Sequence, residues 1–464
     1  MRGAMIDEQI AKNLTISLML TDSTQPPTAT DAKLLVITPL ILQHAEDAAF
    51  YWTQRSTKAH SPLLHFDRLT HFDRQLTAHL DGLRVAGDVG WECALKNLQR
   101  WKHAGEAFVA YVLAIESGDK TRLQTLWSVV EKNPETMQDG LISALAWVAE
   151  ETAVPWMDYW LPLTNYPRLQ QIALHAFALR RLEPDAALDD FFASPDATVR
   201  EAVCVLTGRV RSARYIPLLE TAKKDAAPEV REAAAIALLL LGQGEKTLSD
   251  LWQASLHWNE IAANSKGWTK SMAIRRAEAA ARHIGHALPV SHEGVRQLME
   301  KIPARQGLIV LAHHGDPATA QWIIGAMSRK DLARLAGWAF TMVTGADLDA
   351  LRLTAAAPEP DTNEDERKTP LQDPDIGLSW PHPTAVDTWW SKNGNSYAPG
   401  SRLLHGQPVA DRIHNIDLLS NAAQATRWAA AFNLALNDKK APYFETNAAA
   451  SEQRAVLDAL IGDD

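Results

Sequence analysis

Cysteine is nearly absent from this chain: there are two in 464 residues, Cys93 and Cys204, far apart in sequence. A disulfide framework is thereby excluded, and the count fits a reducing compartment in which each thiol fills a helix face as a small apolar residue. Long apolar runs are also lacking. The strongest, Ala233 to Leu241, is far too short to span a bilayer. The run Leu14 to Leu20 follows the acids Asp7 and Glu8 and precedes no convincing small-residue cleavage site, which argues against a secretory signal. Basic stripes are missing as well. The longest clusters are pairs such as Arg180-Arg181, Lys223-Lys224 and Lys439-Lys440, within a formal net charge of -10. Such a surface repels phosphate backbones, so nucleic acid is not an expected partner. The expectation is a cytoplasmic protein with no membrane insertion.

Catalytic motifs are a further absence. No serine stands in a nucleophile elbow, and neither a Gly-rich phosphate loop nor a zinc-protease helix motif occurs. His60, His65, His71 and His79 invite a metal reading. No pair among them has i,i+4 ligand spacing, however, and His71 and His79 would lie about 12 Å apart along a helix axis. The strings His65-Phe66-Asp67-Arg68 and His71-Phe72-Asp73-Arg74 read instead as a local duplication. His313-His314, before Gly315-Asp316-Pro317, marks a helix end where cationic imidazoles would suit the dipole. Glu150-Glu151 and Asp189-Asp190 are adjacent acids that point apart and are expected to be solvated. No catalytic residue, cofactor or metal is expected, and the chain is not read as an enzyme.

What the sequence does carry is helical periodicity. Leu42, Ala45, Ala49 and Trp52 recur at three- and four-residue spacing, as do Leu69, Phe72, Leu76, Leu80 and Leu83. Gly87 and Gly90 are expected to break that second helix. Short helices follow around 106–116 and 121–130, with Gly118-Asp119 as the turn between them. In the middle of the chain Val199-Arg200-Glu201-Ala202 is echoed 31 positions later by Val230-Arg231-Glu232-Ala233, each after a proline-led turn, Pro195-Asp196 and Pro228-Glu229. Weaker echoes stand at Met137, Leu169, Ile274, Ala304 and Leu332. The longer step to 274 predicts an insertion in an inter-helix loop. A period of this length marks a stack of helix pairs, because one pair cannot bury its apolar face alone. Arg200, Glu201, Arg231 and Glu232 are then expected to form a polar ladder between repeats.

These signals predict an all-α chain, an α-solenoid of HEAT-like helical repeats with an N-terminal helical region and a C-terminal helical cap. The divisions are a flexible extension over 1–33, the N-terminal helical region over 34–133, the repeat solenoid over 134–354, an acidic Pro-rich linker over 355–379 and the cap over 380–464. In the cap, Trp389-Trp390 fall on a short helix from Pro383, Tyr397-Ala398-Pro399-Gly400 form a turn, and three helices cover 411–419, 426–436 and 451–460. Sixteen tryptophans are many for this length. Trp147, Trp156 and Trp160 cluster, as do Trp380, Trp389 and Trp390. Either they fill gaps between imperfect repeats, or they anchor a protein partner.

The repeat pattern is similar to the short HEAT-like repeats of phycobilisome lyases. Several further strings resemble an uncharacterised proteobacterial family of HEAT-like repeat proteins. These are His44-Ala45-Glu46-Asp47-Ala48-Ala49-Phe50, the stretch from Ala78 to Trp91, and Thr344-Gly345-Ala346-Asp347-Leu348. Later come Trp380-Pro381-His382-Pro383, Trp389-Trp390, Tyr397-Ala398-Pro399-Gly400-Ser401-Arg402, Tyr443-Phe444-Glu445-Thr446 and Gln453-Arg454. The likeness spans roughly 35 to 455, and the Ala78 to Trp91 string is its most specific part. Genes of that family often lie among those of type VI secretion effectors and spike-tip proteins. The resemblance thus implies an adaptor or chaperone for an effector or spike-tip protein, or alternatively an immunity protein that neutralises a toxin. A lyase-like enzyme is the remaining and weakest implication. The family's late helix has a more basic start than Gln424-Ala425-Thr426-Arg427-Trp428 has here, so an edge that grips a partner would differ in this chain.

Overall fold

The computed structural model describes residues 36–290, 294–358, 373–398, 400–439 and 441–462. The 1–33 extension, residues 359–372 of the acidic linker and Pro399 of the expected 397–400 turn lie outside the described residues. Among those described, the architecture is all-α. The only extended pairing beyond isolated bridges is a two-residue antiparallel ladder, Leu403 with Pro408 and Leu404 with Gln407. No described helix is long and apolar enough to cross a membrane. The chain divides into two compact units: the described residues up to Phe50 with Leu76–Ala144, and Tyr51–Gln75 with the described residues from Leu145 onward.

In the first unit the helices Asp88–Trp101, Ala104–Ser117 and Lys120–Val130 pack in chain order. The middle one is buried from Ala107 through Ile115 and is apolar around most of its circumference, as a central helix must be. It stops at Gly118, which takes the left-handed conformation, and Asp119 then caps the next helix by accepting the Thr121 N–H. The Gly118-Asp119 turn was therefore legible. Gly87 also ends its helix, but Gly90 does not. It lies inside Asp88–Trp101, where a Cβ would sit 2.1 Å from the Leu83 carbonyl oxygen. The glycine permits a close approach and breaks nothing.

In the second unit, Pro167–Arg180, Ala197–Val210, Pro228–Leu240, Leu248–Asn264, Gly267–Ala287, Ala304–His314 and Ala333–Thr344 each pack on the next in chain order. Shorter helices, Asp189–Phe192, Ile216–Ala222, Gly294–Lys301 and Ala320–Ala326, each pack against the long helix that follows. The 31-residue echo is visible in the hydrogen bonds. Arg200 donates to the main-chain oxygens of Ser194 and Pro195, and Arg231 donates to those of Asp225 and Ala226, the equivalent positions one repeat later. Arg200 also holds the Asp225 carboxylate at 2.7 and 2.9 Å, which ties the helix Ala197–Val210 to the turn before Pro228–Leu240.

Glu201 meets His175 at 3.1 Å, and Glu232 accepts the Trp258 indole N–H at 2.8 Å with Arg276 at 3.6 Å. Burial alone would raise the Glu201 pKa, but His175 holds it below the usual range, whereas burial prevails at Glu232 and raises it. Three of the four expected ladder residues, Arg200, Glu201 and Glu232, reach a neighbouring element, whereas Arg231 bonds only the turn before its own helix. Pro228 occupies the first turn of its helix, but Pro195 lies outside, with Asp196 as the cap. The longer step beyond 230 is not a loop insertion. It is taken up by the 17-residue helix Leu248–Asn264 and the 21-residue helix Gly267–Ala287.

The chain closes with Pro383–Asn393, Arg412–Asn421, Gln424–Asn437 and Ala450–Gly462, near the predicted spans. Gln424–Asn437 is buried at nearly every position, from Gln424 to Asn433 and again at Ala435. Its start is therefore not an edge that grips a partner. Arg427 is fully buried: Nε donates to the Leu419 carbonyl at 2.6 Å, one terminal nitrogen to Gln453 Oε1 at 2.6 Å and the other to Gln424 Oε1, while the guanidinium lies 4.0 Å from the Phe66 ring centre. Removing such a donor set strands several buried acceptors, each worth about 1–3 kcal/mol. Arg427→Met is expected to lower the stability of this unit by about 2–4 kcal/mol, read as an earlier urea midpoint at unchanged slope; a midpoint within error of the parent would refute the assignment.

Candidate functional site

Five of the six tryptophans in the two triplets are buried or have a packed arginine or phenylalanine partner. Trp160 is buried, and Trp147 and Trp156 are half-buried, Trp147 beneath the Arg55 guanidinium at 5.4 Å. Trp380 is half-buried under Arg334 at 4.8 Å, and Arg334 in turn holds Asp373 at 2.6 Å. Trp389 and Trp390 stand edge-on to Phe340 at 5.9 and 5.8 Å, so all three members of the later triplet meet the helix Ala333–Thr344. The exposed tryptophans among the described residues are others: Trp101, Trp268 and Trp322.

The four early histidines have separate partners. His79 pairs with His44 at 2.9 Å, His65 faces the Asn421 carbonyl at 3.1 Å, and His71 contacts Phe72. His60 joins a constellation that the sequence did not announce. At its centre is the buried Trp428 indole. The rings of His60, His283, His286 and His313 surround it with centroids 5.4, 5.5, 5.6 and 5.5 Å away, all steeply inclined. Phe432, one turn further along the Trp428 helix, completes the wall at 4.6 Å from His286 and 5.5 Å from His283.

Local geometry explains the convergence. His283 and His286 are three apart on Gly267–Ala287 and so share a face. Gly285 lies between them, where a Cβ would meet His313 Cβ and the Val310 carbonyl oxygen at 2.7 Å each. Only glycine lets the helix Ala304–His314 come this near. The cluster is graded in exposure: His60, Arg282 and His283 are half-buried, while His286 and His313 are 4% exposed. Among the described residues no three His, Cys, Asp or Glu side chains are arranged to hold a metal ion.

Burial, then the neighbouring His313, Arg402 and His283, pulls the His286 pKa far down, and burial with Arg282 and His283 does the same at His313. His283 falls to about 3 and His314 to about 4. The expectation of cationic imidazoles at the end of Ala304–His314 is therefore overturned. A helix dipole attracts a charge that stays solvated, and here desolvation is the larger effect. Three cations adjoin the rings. Arg209 pairs with Glu445 at 3.1 Å and covers the Tyr443 ring, and Arg402 donates to the main-chain oxygens of His286 and Leu288. Arg282 makes neither kind of contact among the described residues: it lies 5.8 Å from the Trp428 ring centre and feels the charge of Glu278, one turn back, which Arg305 holds at 2.8 Å.

Because these histidines are neutral when folded and titrate near 6.5 when unfolded, the unfolded chain binds more protons below that value. Their contribution to stability is complete above pH 6.5 and falls as pH drops from 6.5 toward about 4, the His314 value, at about 1.4 kcal/mol per pH unit for each such ring. Carboxylates held low, such as Asp225, act only below their own ordinary range. The unfolding midpoint is expected to decline between pH 6.5 and 5, and the double variant His286→Phe/His313→Leu to flatten that decline; an unchanged slope would show that these rings do not govern it.

Comparison with protein-family models, curated proteins and solved structures yields no match at all.

Proposed function

We propose that this chain is a non-catalytic protein-binding scaffold, an α-solenoid of HEAT-like repeats working in the cytoplasm as an adaptor or chaperone for a type VI secretion effector or its spike-tip protein. The observation that carries the scaffold reading is the recurrence of one bonding pattern at Arg200 and Arg231, within long helices that pack in chain order. A stack built in this way extends its surface with its length and suits a large protein partner. The secretion context comes from the strings that resemble the proteobacterial family. Trp101, Trp268 and Trp322, about half exposed, are the side chains best suited to anchor a partner, because indole buries a large area at low entropic cost.

The excess of 56 acids over 46 bases supports a second reading, an immunity protein that covers the basic cleft of a toxin. Affinity capture from the native bacterium with a C-terminal tag, read by mass spectrometry, is expected to recover an effector or a spike-tip protein. Trp268→Ala is expected to weaken that complex by about 2 kcal/mol or more. Capture of no secretion component would overturn the secretion reading. Deleting the gene separates the two roles: loss of an adaptor only stops delivery, whereas loss of immunity poisons the cell or its siblings.

A further inference from the structure

Arg282 feels the charge of Glu278, one turn back, but makes no ion pair with it. Its Nε is buried and has no hydrogen-bond acceptor among the described residues. Glu278, the acid whose charge it feels, gives one carboxylate oxygen to Arg305. Both ring nitrogens of the adjoining His313 are buried without a partner among the described residues, and so is Nδ1 of His60. Buried polar groups of native proteins are nearly always satisfied, and a concentration of exceptions calls for an occupant.

The donor and acceptor inventory defines that occupant. An arginine supplies only donors, so Arg282 asks for an anion. A neutral imidazole carries one N–H and one bare nitrogen, so His313 asks for a partner that both accepts and donates. A carboxylate only accepts. A phosphate group that retains a proton does both, and its charge answers the guanidinium. Exposure rises from buried His313 and Trp428 to half-buried Arg282 and His60, so the Arg282 side of the cluster is the one nearer solvent.

We propose that the Trp428-centred cluster is a phosphate-binding site, with Arg282 as the charge partner and His60 and His313 as hydrogen-bonding partners. The ligand is inorganic phosphate or the phosphate group of a small metabolite. Titration calorimetry of the full chain with inorganic phosphate, in a chloride buffer at neutral pH, tests the site. Saturable one-to-one binding is expected, weakened about tenfold or more by Arg282→Met, the loss of one charge-assisted contact. The same titration with acetate is expected to give no saturable heat.

Thermal melting separates a binding role from a structural one. Without phosphate, Arg282→Met is expected to melt at or above the parent temperature, because the replaced cation makes no ion pair; phosphate should raise the melting temperature of the parent alone. No saturable phosphate binding, equal affinity for acetate, undiminished affinity in Arg282→Met, or a variant that melts well below the parent without ligand would each overturn the proposal.

Discussion

The second unit depends on one guanidinium being satisfied inside the protein. A helix buried at nearly every position, as Gln424–Asn437 is, cannot carry an unpaired arginine, and Arg427 is fully buried near its start. Its donors are taken by the Leu419 carbonyl, the Gln424 amide and the Gln453 amide, and its flat face lies on Phe66. A lysine could supply the charge but neither the planar stacking face nor donors fixed in three directions. The same turn accepts the early chain: the Gln424 and Ala425 N–H groups donate to the carbonyls of Leu64 and Ser61. Residues 61–66 are thereby pinned to the late helices, and that pinning sets His60 against Trp428. The constraint at Arg427 and the histidine cluster are thus one construction, since the indole follows the guanidinium by one residue.

The repeats solve the same problem locally. Arg200 and Arg231 each place one terminal nitrogen on carbonyls five and six residues earlier, and Arg200 gives its remaining donors to Asp225. A motif whose bonds are local has to repeat whole, which is why the 31-residue echo could be read from sequence alone. The Gly118-Asp119 turn and the three late helices were legible for the same reason, because caps and apolar spacing act within a few residues. Legibility failed where a residue answers to a distant neighbour. Gly90 looked like a breaker, and its purpose is to admit the Leu83 carbonyl. The helix Leu248–Asn264 looked like loop because no repeat signature marks it, although it packs on both of its neighbours in the chain.

The histidine cluster was the least legible feature. Its members come from the turn at His60, from Gly267–Ala287, from the end of Ala304–His314 and from the Trp428 helix, and no local pattern joins them. The one available signal was the three-residue spacing of His283 and His286, which places two imidazoles on one face. At His313-His314 the sequence argument had the right helix end and the wrong medium. A dipole argument assumes solvated charge, and at 4% and 0% exposure the neutral form prevails.

The tryptophans divide on the same physical ground. Trp147, Trp380, Trp389 and Trp390 have arginine or phenylalanine partners that account for them as packing. Trp428 is different, because four of the rings packed on it are imidazoles, beside the one phenylalanine, Phe432. Leucine and phenylalanine would fill that space with no desolvation cost, and replacing buried polar clusters by apolar side chains is often neutral or stabilising. The apolar helices that surround it do not need a polar centre for their own packing. A centre of imidazoles beside a guanidinium that makes no ion pair is what the proposed phosphate answers, and the packed helices around it fix where that centre lies.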